Sequence, residues 1–172
     1  MTPPPRFCPQ CRAPLAQVER LEDGGGSRLR LCCPACDYTH WNNPVPVLAA
    51  VIEYQGRVLL ARNANWPGRM FALITGFLEC GETAPQGMVR EIREETNLEV
   101  DALSLIGVYD FLRMNQLIVA FHAVARGTVR LSPELAEYRL FDPGQLRCWR
   151  AGTGQALADW LRGRGHEPQW ID

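Results

Sequence analysis

Three glutamates stand close together in the segment Arg90-Glu91-Ile92-Arg93-Glu94-Glu95. Glu91, Glu94 and Glu95 are spaced i, i+3 and i+4, so in a helix they share one face within a single turn. Like charges at this spacing, near the end of a helix whose dipole already disfavours anions, destabilise the helix. A divalent cation such as Mg²⁺ or Mn²⁺ would offset this repulsion, because hard ions prefer carboxylate oxygens. The alternative is a solvated helix face on which Arg90 and Arg93 supply the counter-charge.

Four of the seven cysteines form two CxxC pairs, Cys8-Pro9-Gln10-Cys11 and Cys33-Pro34-Ala35-Cys36, with 21 residues between them. Each CxxC turn can bring two thiolates to one tetrahedral ion, so the two turns together complete a zinc site. A closed site of this kind leaves no position for substrate, which predicts a structural Zn²⁺ that stabilises a short ribbon. A redox CxxC pair and cysteines that only pack are the alternatives. Cys32, Cys80 and Cys148 are left unassigned.

The glutamate segment is part of a longer pattern. Gly76-Phe77-Leu78-Glu79-Cys80-Gly81-Glu82 is followed, after seven residues, by Arg90-Glu91-Ile92-Arg93-Glu94-Glu95-Thr96-Asn97-Leu98. This pattern resembles the Nudix box of the Nudix hydrolases at nearly every fixed position. It departs at Asn97, where the family usually has glycine, and at Thr75, where a small residue commonly precedes the first glycine. Neither change removes a side-chain ligand, because Asn also suits a left-handed helix cap and position 75 would contribute its backbone carbonyl.

The resemblance implies a fold, cofactors and residue roles. The fold would be of the α/β (α+β) class, a Nudix α/β/α sandwich with a mixed sheet preceded by a small zinc ribbon. A loop, a helix and a second loop would hold Mg²⁺ or Mn²⁺ against a diphosphate. Carried over by position, the metal ligands would be Glu91, Glu94, Glu95 and the backbone carbonyl of Thr75. Glu82 and Arg90 would hold the loop to the helix, and Glu94 or Glu95 could accept the proton of the attacking water.

A further segment narrows the resemblance to zinc-ribbon Nudix enzymes. Those enzymes add a metal ligand from outside the box, at the first glutamate of a segment similar to Pro133-Glu134-Leu135-Ala136-Glu137-Tyr138-Arg139-Leu140-Phe141. This favours Glu134 as the additional ligand here, with Glu137 as second choice. NADH pyrophosphatases, which are also active on NAD-capped RNA, carry a Ser-Gln-Pro-Trp type signature that residues 107–116 lack. They also carry an extra N-terminal domain, which we do not expect to fit in a chain of 172 residues. The junction Tyr38-Thr39-His40-Trp41-Asn42-Asn43-Pro44 is instead similar to that of plant chloroplast FAD and ADP-ribose pyrophosphatases.

We therefore expect hydrolysis of a nucleoside diphosphate linked to another moiety, such as ADP-ribose or FAD, with release of AMP. The alternatives are an NADH or NAD-cap pyrophosphatase and a nucleotide-sensing module that binds nucleic acid or protein. The candidate substrate contacts are aromatic residues for stacking, an amide for a hydrogen bond and a cation for phosphate: Tyr109, Phe111, Trp41, Trp66, Gln116 and Arg62. For each aromatic residue, packing within the protein is the favoured alternative to substrate contact.

These residues need a scaffold, and the hydrophobic pattern predicts one. Buried strands are predicted over 45–54 and 57–62, joined by the tight turn Gln55-Gly56, and over 71–78. The next element is a helix over 83–96 with a capping box at Thr83, a left-handed cap at Asn97 and a core stripe of Ala84, Met88 and Ile92 with Val89 beside it. Strands over 103–112, 117–126 and 138–141 and a helix over 154–164 complete the domain. We place the zinc ribbon at 1–40 and the Nudix domain at 41–172.

Composition and charge limit the other functions. The chain has 172 residues and a net charge of −1, which excludes a strongly basic chain built to bind nucleic acid through its phosphates. No stretch reaches the ~18 apolar residues of a membrane span, and the first residues lack the apolar core of a secretory signal. We therefore expect a cytoplasmic protein with reduced thiols that acts on a small molecule, with nucleic acid as a partner only as capped RNA. Family members of this sort are usually dimers, which favours a homodimer.

Overall fold

The structure is a computed structural model that describes residues 4–21, 24–66, 68 and 70–171. The chain divides into two compact units, Met1–Pro44 and Val45–Asp172. Within the described part of the chain, no helix is both long enough and apolar enough to cross a membrane.

The first unit is a small antiparallel sheet with two cysteine turns. Its strands are β1 (Ala16–Leu21), β2 (Ser27–Cys32) and β3 (Thr39–His40), in the order β1-β2-β3. Every residue of β1 is exposed, so this unit buries little apolar surface through its sheet. Among the described residues of this unit, the buried apolar ones are Cys8 and Cys33, one from each CxxC pair. The folded structure of this unit therefore depends on the cysteines more than on a hydrophobic core.

The second unit is built on a six-stranded mixed sheet. Its strands are β4 (Val45–Tyr54), β5 (Arg57–Asn63), β6 (Ile74–Phe77), β7 (Glu99–Phe111), β8 (Gln116–Arg126) and β9 (Leu135–Phe141). The order is β7-β8-β4-β5-β9, with β6 also paired to β4; the β4–β8 pair is parallel and the others are antiparallel. One edge of β4 pairs first with β6, over residues 47–50, and then with β5, over residues 52–54. The sheet therefore opens between β5 and β6.

Two helices cover the two faces of this sheet, α1 (Ala84–Thr96) and α2 (Gly154–Gly163). Side chains alternate along β4, so Leu48 and Ile52 pack with Met88 of α1, whereas Ala49 packs with Ala156 of α2. The result is three layers, helix on sheet on helix, and the predicted α/β sandwich with a mixed sheet is confirmed.

The ends of α1 follow the predicted caps. The Thr83 backbone N–H donates to Gln86 Oε1 at 2.9 Å, and the Thr83 hydroxyl accepts from the Gln86 backbone N–H at 3.4 Å, which is a complete capping box. Asn97 ends the helix in the left-handed conformation with φ 60°. Met88 and Ile92 are fully buried, as predicted, but Val89 is exposed, because its position on the helix turns it away from the sheet.

Several strands differ from the sequence expectation. The strands predicted over 103–112 and 138–141 begin earlier, at Glu99 and Leu135. The predicted strand over 71–78 is shortened to Ile74–Phe77, and Ala72 forms only an isolated bridge with Ala61. A parallel pair of short strands, β10 (Arg147–Trp149) and β11 (Gln169–Ile171), was not predicted. Strands of three residues are too short to show a hydrophobic period, so the sequence pattern could not reveal them.

Candidate active site

The position of α1 on the sheet depends on two glycines. A Cβ added at Gly76 would overlap the carboxylate of Glu91, so a glycine there lets the helix carboxylate lie directly on β6. A Cβ at Gly87 would overlap both Glu82 Oε1 and Leu48 Cδ1. Sequence reasoning missed Gly87, although a glycine inside a helix costs about 1 kcal/mol and so indicates a packing reason. Close approach at both positions brings Glu82 and Glu91 to the same side of α1.

Arg90 links the loop before α1 to the helix. Its guanidinium donates to both Glu82 oxygens, from Nε at 3.0 Å and from Nη2 at 2.8 Å, and from Nη2 to the carbonyl of Phe77 at 3.1 Å. Its Nη1 donates to Glu91 Oε1 at 2.8 Å and to Glu94 Oε2 at 3.0 Å. Arg90 thus supplies the counter-charge that the sequence left as one alternative, and it does so for two of the three helix glutamates. Arg93 lies in the last turn of the helix and is exposed.

The electrostatic environment differs sharply among these carboxylates. Hydrogen bonds from Arg90, with one from the Glu79 backbone N–H at 2.9 Å, lower the pKa of Glu82 to about 2. Burial, opposed by Arg90, raises the pKa of Glu91. Burial and then the negative charges of Glu91, Glu134 and Glu94 raise the pKa of Glu95 to about 7. Glu82 is therefore a permanently charged anchor, whereas Glu95 lies where negative charge is least tolerated.

The helix glutamates face a cleft of about 490 Å³ at the opening between β5 and β6. Of the residues predicted to act in the site, the cleft is lined by Thr75, Arg90, Glu91, Glu94, Glu95, Glu134, Gln116 and Trp66. Glu134 is 39 residues beyond Glu95 in the chain, and the fold brings both to this one cleft. Asn63 and Glu79 also line it and were missed, since nothing in their local sequence distinguishes them.

Other predicted contacts lie elsewhere. The Tyr109 hydroxyl donates to Asp159 of α2 at 2.8 Å, and burial together with this bond raises the pKa of Tyr109. Phe111 packs against Gly152 and, like Tyr109, joins the core cluster on the α2 side. Neither ring lines the cleft, so the packing alternative describes both residues.

Two charged candidates and one further aromatic also lie outside the cleft lining. Arg62 lies 3.9 Å from Glu137, which also accepts from Arg139 at 2.9 Å, so Glu137 has cationic neighbours of its own. Trp41 belongs to the first unit, where the Arg30 guanidinium lies 5.4 Å from its ring centre. This leaves Glu134 as the glutamate of that segment that faces the cleft.

The four predicted zinc ligands form a tight cluster in the first unit. The Sγ atoms of Cys8 and Cys36 are 3.5 Å apart, those of Cys11 and Cys33 are 3.4 Å apart, and all four lie within 4.8 Å of one another. A tetrahedral site with Zn–S bonds of about 2.3 Å has sulfur atoms about 3.8 Å apart, so the cluster is close to that size. Although burial opposes it, backbone N–H groups of Cys11 and Gln10 lower the pKa of Cys8 to about 7. Within the described ranges, this is the one group of three or more such ligands with donor atoms this close.

Comparison with known proteins places this geometry in a family. The model of the NUDIX domain matches residues 42–162. The NAD-capped RNA hydrolase NudC of Vibrio atlanticus (strain LGP32) is 30% identical over 149 residues, which are 83% of this chain and 51% of that protein. The protein of the same name from Mycobacterium tuberculosis (strain ATCC 25177 / H37Ra) is 35% identical over 117 residues, 66% of this chain and 36% of that one. The chain thus spans about half, or less, of the length of these curated relatives.

A solved structure agrees with this placement. The crystal structure of a NUDIX hydrolase from Nitrosomonas europaea has a TM-score of 0.77 and 28% identity, and the match covers 96% of each chain. The NUDIX match takes in every strand of the six-stranded sheet, α1, all of α2 except its last residue, and the whole cleft lining described above. On this match, the chain belongs to the NUDIX domain family.

Proposed function

We propose that this chain hydrolyses the phosphoric anhydride of a nucleoside diphosphate linked to another moiety, with the help of Mg²⁺ or Mn²⁺. The observation that supports it most is the convergence of Glu91, Glu94, Glu95 and Glu134 on one cleft. Carboxylates gathered in this way repel one another and an anionic substrate alike unless a cation joins them. Cleavage next to an adenosine phosphate would release AMP.

The residues of the cleft fit a hard divalent ion. All the candidate donors are oxygens: the carboxylates of Glu91, Glu94, Glu95 and Glu134 and the backbone carbonyl of Thr75. Such an ion supplies charge neutralisation of the diphosphate and a lowered pKa for bound water. Because Arg90 donates to Glu91 and Glu94 in this structure, we expect those two carboxylates to exchange part of their bonding to Arg90 for the cation.

The chain's own groups divide the remaining work. Arg90 and Glu82 fix the loop against the helix, so the glutamates start from a defined geometry. Glu94 and Glu95 are the two candidates for the proton acceptor, since both carboxylates line the cleft that would hold the cation and its bound water. Gln116 and Trp66 also line the cleft, and we assign the Gln116 amide and the Trp66 ring to the base or sugar of the substrate.

Two observations favour different substrates within this class. The curated relatives are named NAD-capped RNA hydrolases, which favours an NAD-linked diphosphate. Residues 107–116 lack the signature expected of NADH pyrophosphatases, and this favours ADP-ribose or FAD. The cleft volume of about 490 Å³ lies within the roughly 300–1,000 Å³ of small-molecule sites and does not distinguish the two candidates. Both candidates therefore belong in one assay.

The assay is turnover of ADP-ribose, FAD, NADH and an NAD-capped RNA oligonucleotide with Mg²⁺ or Mn²⁺, with AMP or 5′-monophosphate RNA as the measured product. We expect Glu94→Gln to lower kcat by about 100-fold or more, since it removes one oxygen ligand of the cation. The matched control is Glu137→Gln, a glutamate of β9 outside the cleft. An unchanged rate in Glu94→Gln would show that the metal site is wrongly assigned. Salt-dependent RNA binding without any hydrolysis would favour the binding-module alternative.

We also propose that Cys8, Cys11, Cys33 and Cys36 hold a structural Zn²⁺. The support is the 3.4–3.5 Å spacing of the sulfur pairs and the scarcity of other core in this unit. We expect one zinc per chain by elemental analysis, and its removal by a chelator should unfold this unit.

A homodimer and a cytoplasmic location complete the proposal. In support of a dimer, β7 is an edge strand of the sheet on which Leu105 and Val108 are more than half exposed. In support of the location, all seven cysteines are unpaired, as in a reducing compartment. Sedimentation velocity at micromolar concentration tests the dimer.

A further inference from the structure

A second pocket lies on the α2 side of the sheet. It has a volume of about 250 Å³, and no described residue lines both this pocket and the cleft. The two are separated by the strand itself: Leu60 lines this pocket and Ala61 lines the cleft, and successive residues of a strand point to opposite faces. We call this second site the distal pocket and define it by Phe71, Phe141, Gln145, Arg147, Trp149 and Ile171.

The walls of the distal pocket are aromatic. Phe71 and Phe141 meet edge to face, with ring centres 6.3 Å apart and an interplanar angle of 67°. The Arg139 guanidinium lies 4.6 Å from the centre of the Phe71 ring, which holds that ring in place. Trp149 is half-buried and provides a third ring. The pocket therefore presents ordered aromatic surface, which suits a flat apolar group.

The rim of the pocket is polar because of the pairing of β10 with β11. Cys148 is fully buried in the core, so its neighbours Arg147 and Trp149 share the opposite face of the short sheet. The register places Ile171 beside Trp149 and completes the rim. Arg147 is exposed and forms no ion pair with the residues that the structure describes, whereas Arg139 is paired with Glu137. Arg147 is thus the rim cation available to an anion.

The chemistry of the lining selects a class of ligand. Aromatic rings take a planar ring system, the Gln145 amide can both donate to and accept from a heteroaromatic edge, and Arg147 takes an anionic group. Among the residues that the structure describes, no aspartate or glutamate lines the pocket. Its volume of about 250 Å³ is below the roughly 300–1,000 Å³ of sites for drug-sized ligands, which fits one nucleoside better than two.

We propose that the distal pocket is a second nucleotide site, which binds the base of a free purine mononucleotide against its aromatic rings and the phosphate on Arg147. A mononucleotide is the kind of product that the proposed hydrolysis releases, so such a site would respond to product. The inference goes beyond the proposed function and does not depend on it, because binding at this site needs neither a divalent cation nor turnover.

The test is AMP binding to the full chain in EDTA, measured by isothermal titration calorimetry. We expect one AMP per chain, with binding weakened about tenfold or more in Arg147→Gln, since a charge-assisted hydrogen bond to phosphate is lost. Gln145→Ala should weaken AMP and adenosine alike, whereas Arg147→Gln should leave adenosine binding unchanged. The matched control is Arg57→Gln, an exposed arginine outside both sites, which should bind AMP as the parent chain does.

Three results would overturn the proposal. The first is no AMP binding in EDTA at millimolar concentration. The second is AMP binding that survives Arg147→Gln and Gln145→Ala but is lost in Trp66→Ala, which would place the ligand in the cleft. The third is an adenylate oligonucleotide that binds more than tenfold tighter than AMP through Arg147, which would make the pocket part of a polynucleotide surface. Thermal unfolding of each variant shows that it is folded. The AMP affinities are measured in EDTA and need no turnover, so a failure of the proposed hydrolysis does not change how they are interpreted.

Discussion

Glu95→Gln should make the metal-free protein more stable and at the same time remove its response to metal. The side chain lies in a field of negative charge from Glu91, Glu134 and Glu94, and burial adds to the cost of its ionisation. Glutamine keeps the size of the side chain and removes the charge. The substitution therefore relieves repulsion in the metal-free state, and it also removes one ligand of the proposed cation.

The size of the effect follows from the pKa. A shift from the ordinary value of 4.5 to about 7 corresponds to an upper bound of about 3.4 kcal/mol, at about 1.4 kcal/mol for each pH unit. Glu95 is only half-buried, so solvent screening reduces this to about 1–2 kcal/mol. At the sensitivity of a domain of this size, the melting temperature in EDTA at pH 8 should rise by about 2–8 °C.

The pH dependence has a definite sign. Because the pKa is raised in the folded state, the parent chain keeps this contribution to stability below pH 4.5 and loses it as the pH rises to about 7. Glu95→Gln does not titrate at this position, so its advantage in melting temperature should be small at pH 5 and full at pH 8.

The assay is thermal unfolding by circular dichroism in EDTA and in millimolar Mn²⁺, at pH 5 and pH 8. Mn²⁺ should stabilise the parent chain by mass action and stabilise Glu95→Gln much less. Glu167→Gln, an exposed glutamate outside the cleft, is the matched control and should follow the parent chain throughout. The reasoning fails if Glu95→Gln is no more stable than the parent in EDTA at pH 8, or if Mn²⁺ stabilises both equally.

Three further substitutions test separate parts of the structure. Gly76→Ala should lower kcat by about tenfold or more and reduce the melting temperature, because the added Cβ overlaps the Glu91 carboxylate. Steady-state kinetics measures the first effect and calorimetry the second. Parent values of kcat and melting temperature would mean that α1 does not lie this close to β6. Cys33→Ser should lose its bound zinc, as measured by elemental analysis, and its first unit should unfold, as shown by the loss of that unit's NMR signals. Because the cleft lies wholly in the other unit, the signals of the cleft residues should remain. Tyr109→Phe should cost about 0.5–1.5 kcal/mol of unfolding free energy through the lost bond to Asp159 with KM unchanged, and a raised KM would instead place this ring at the substrate.

The structure shows which local features the sequence could predict. The helix over 83–96, its capping box at Thr83 and its left-handed cap at Asn97 all appear as expected, because each depends on residues within a few positions of one another. The same holds for the hairpin turn, where Gln55 and Gly56 have the positive φ values of 53° and 73° that a two-residue hairpin turn requires. Short-range geometry sufficed for these elements.

The location of Tyr109 shows why other features could not be predicted. With strict alternation, Tyr109 would share the face of Leu103 and Leu105, which is the α1 side and the side of the helix glutamates. A register shift between Leu105 and Gly107 changes the parity, so Tyr109 pairs with Ile118 and faces α2 instead. A single extra residue in β7 therefore decides whether this ring lies toward the proposed active site or in the core.

The sequence by itself determined the family pattern, the shared helix face of Glu91, Glu94 and Glu95, and the two CxxC pairs, because helix pitch and turn geometry fix those spacings. The tertiary structure decided the rest. It alone brings Glu134 to the cleft, and it alone joins Arg90 to both Glu82 of the loop and Glu91 of the helix. It also forms the rim of the distal pocket, through the pairing of two three-residue strands. These relations depend on sheet register and on close approach between distant segments, and no local spacing encodes either.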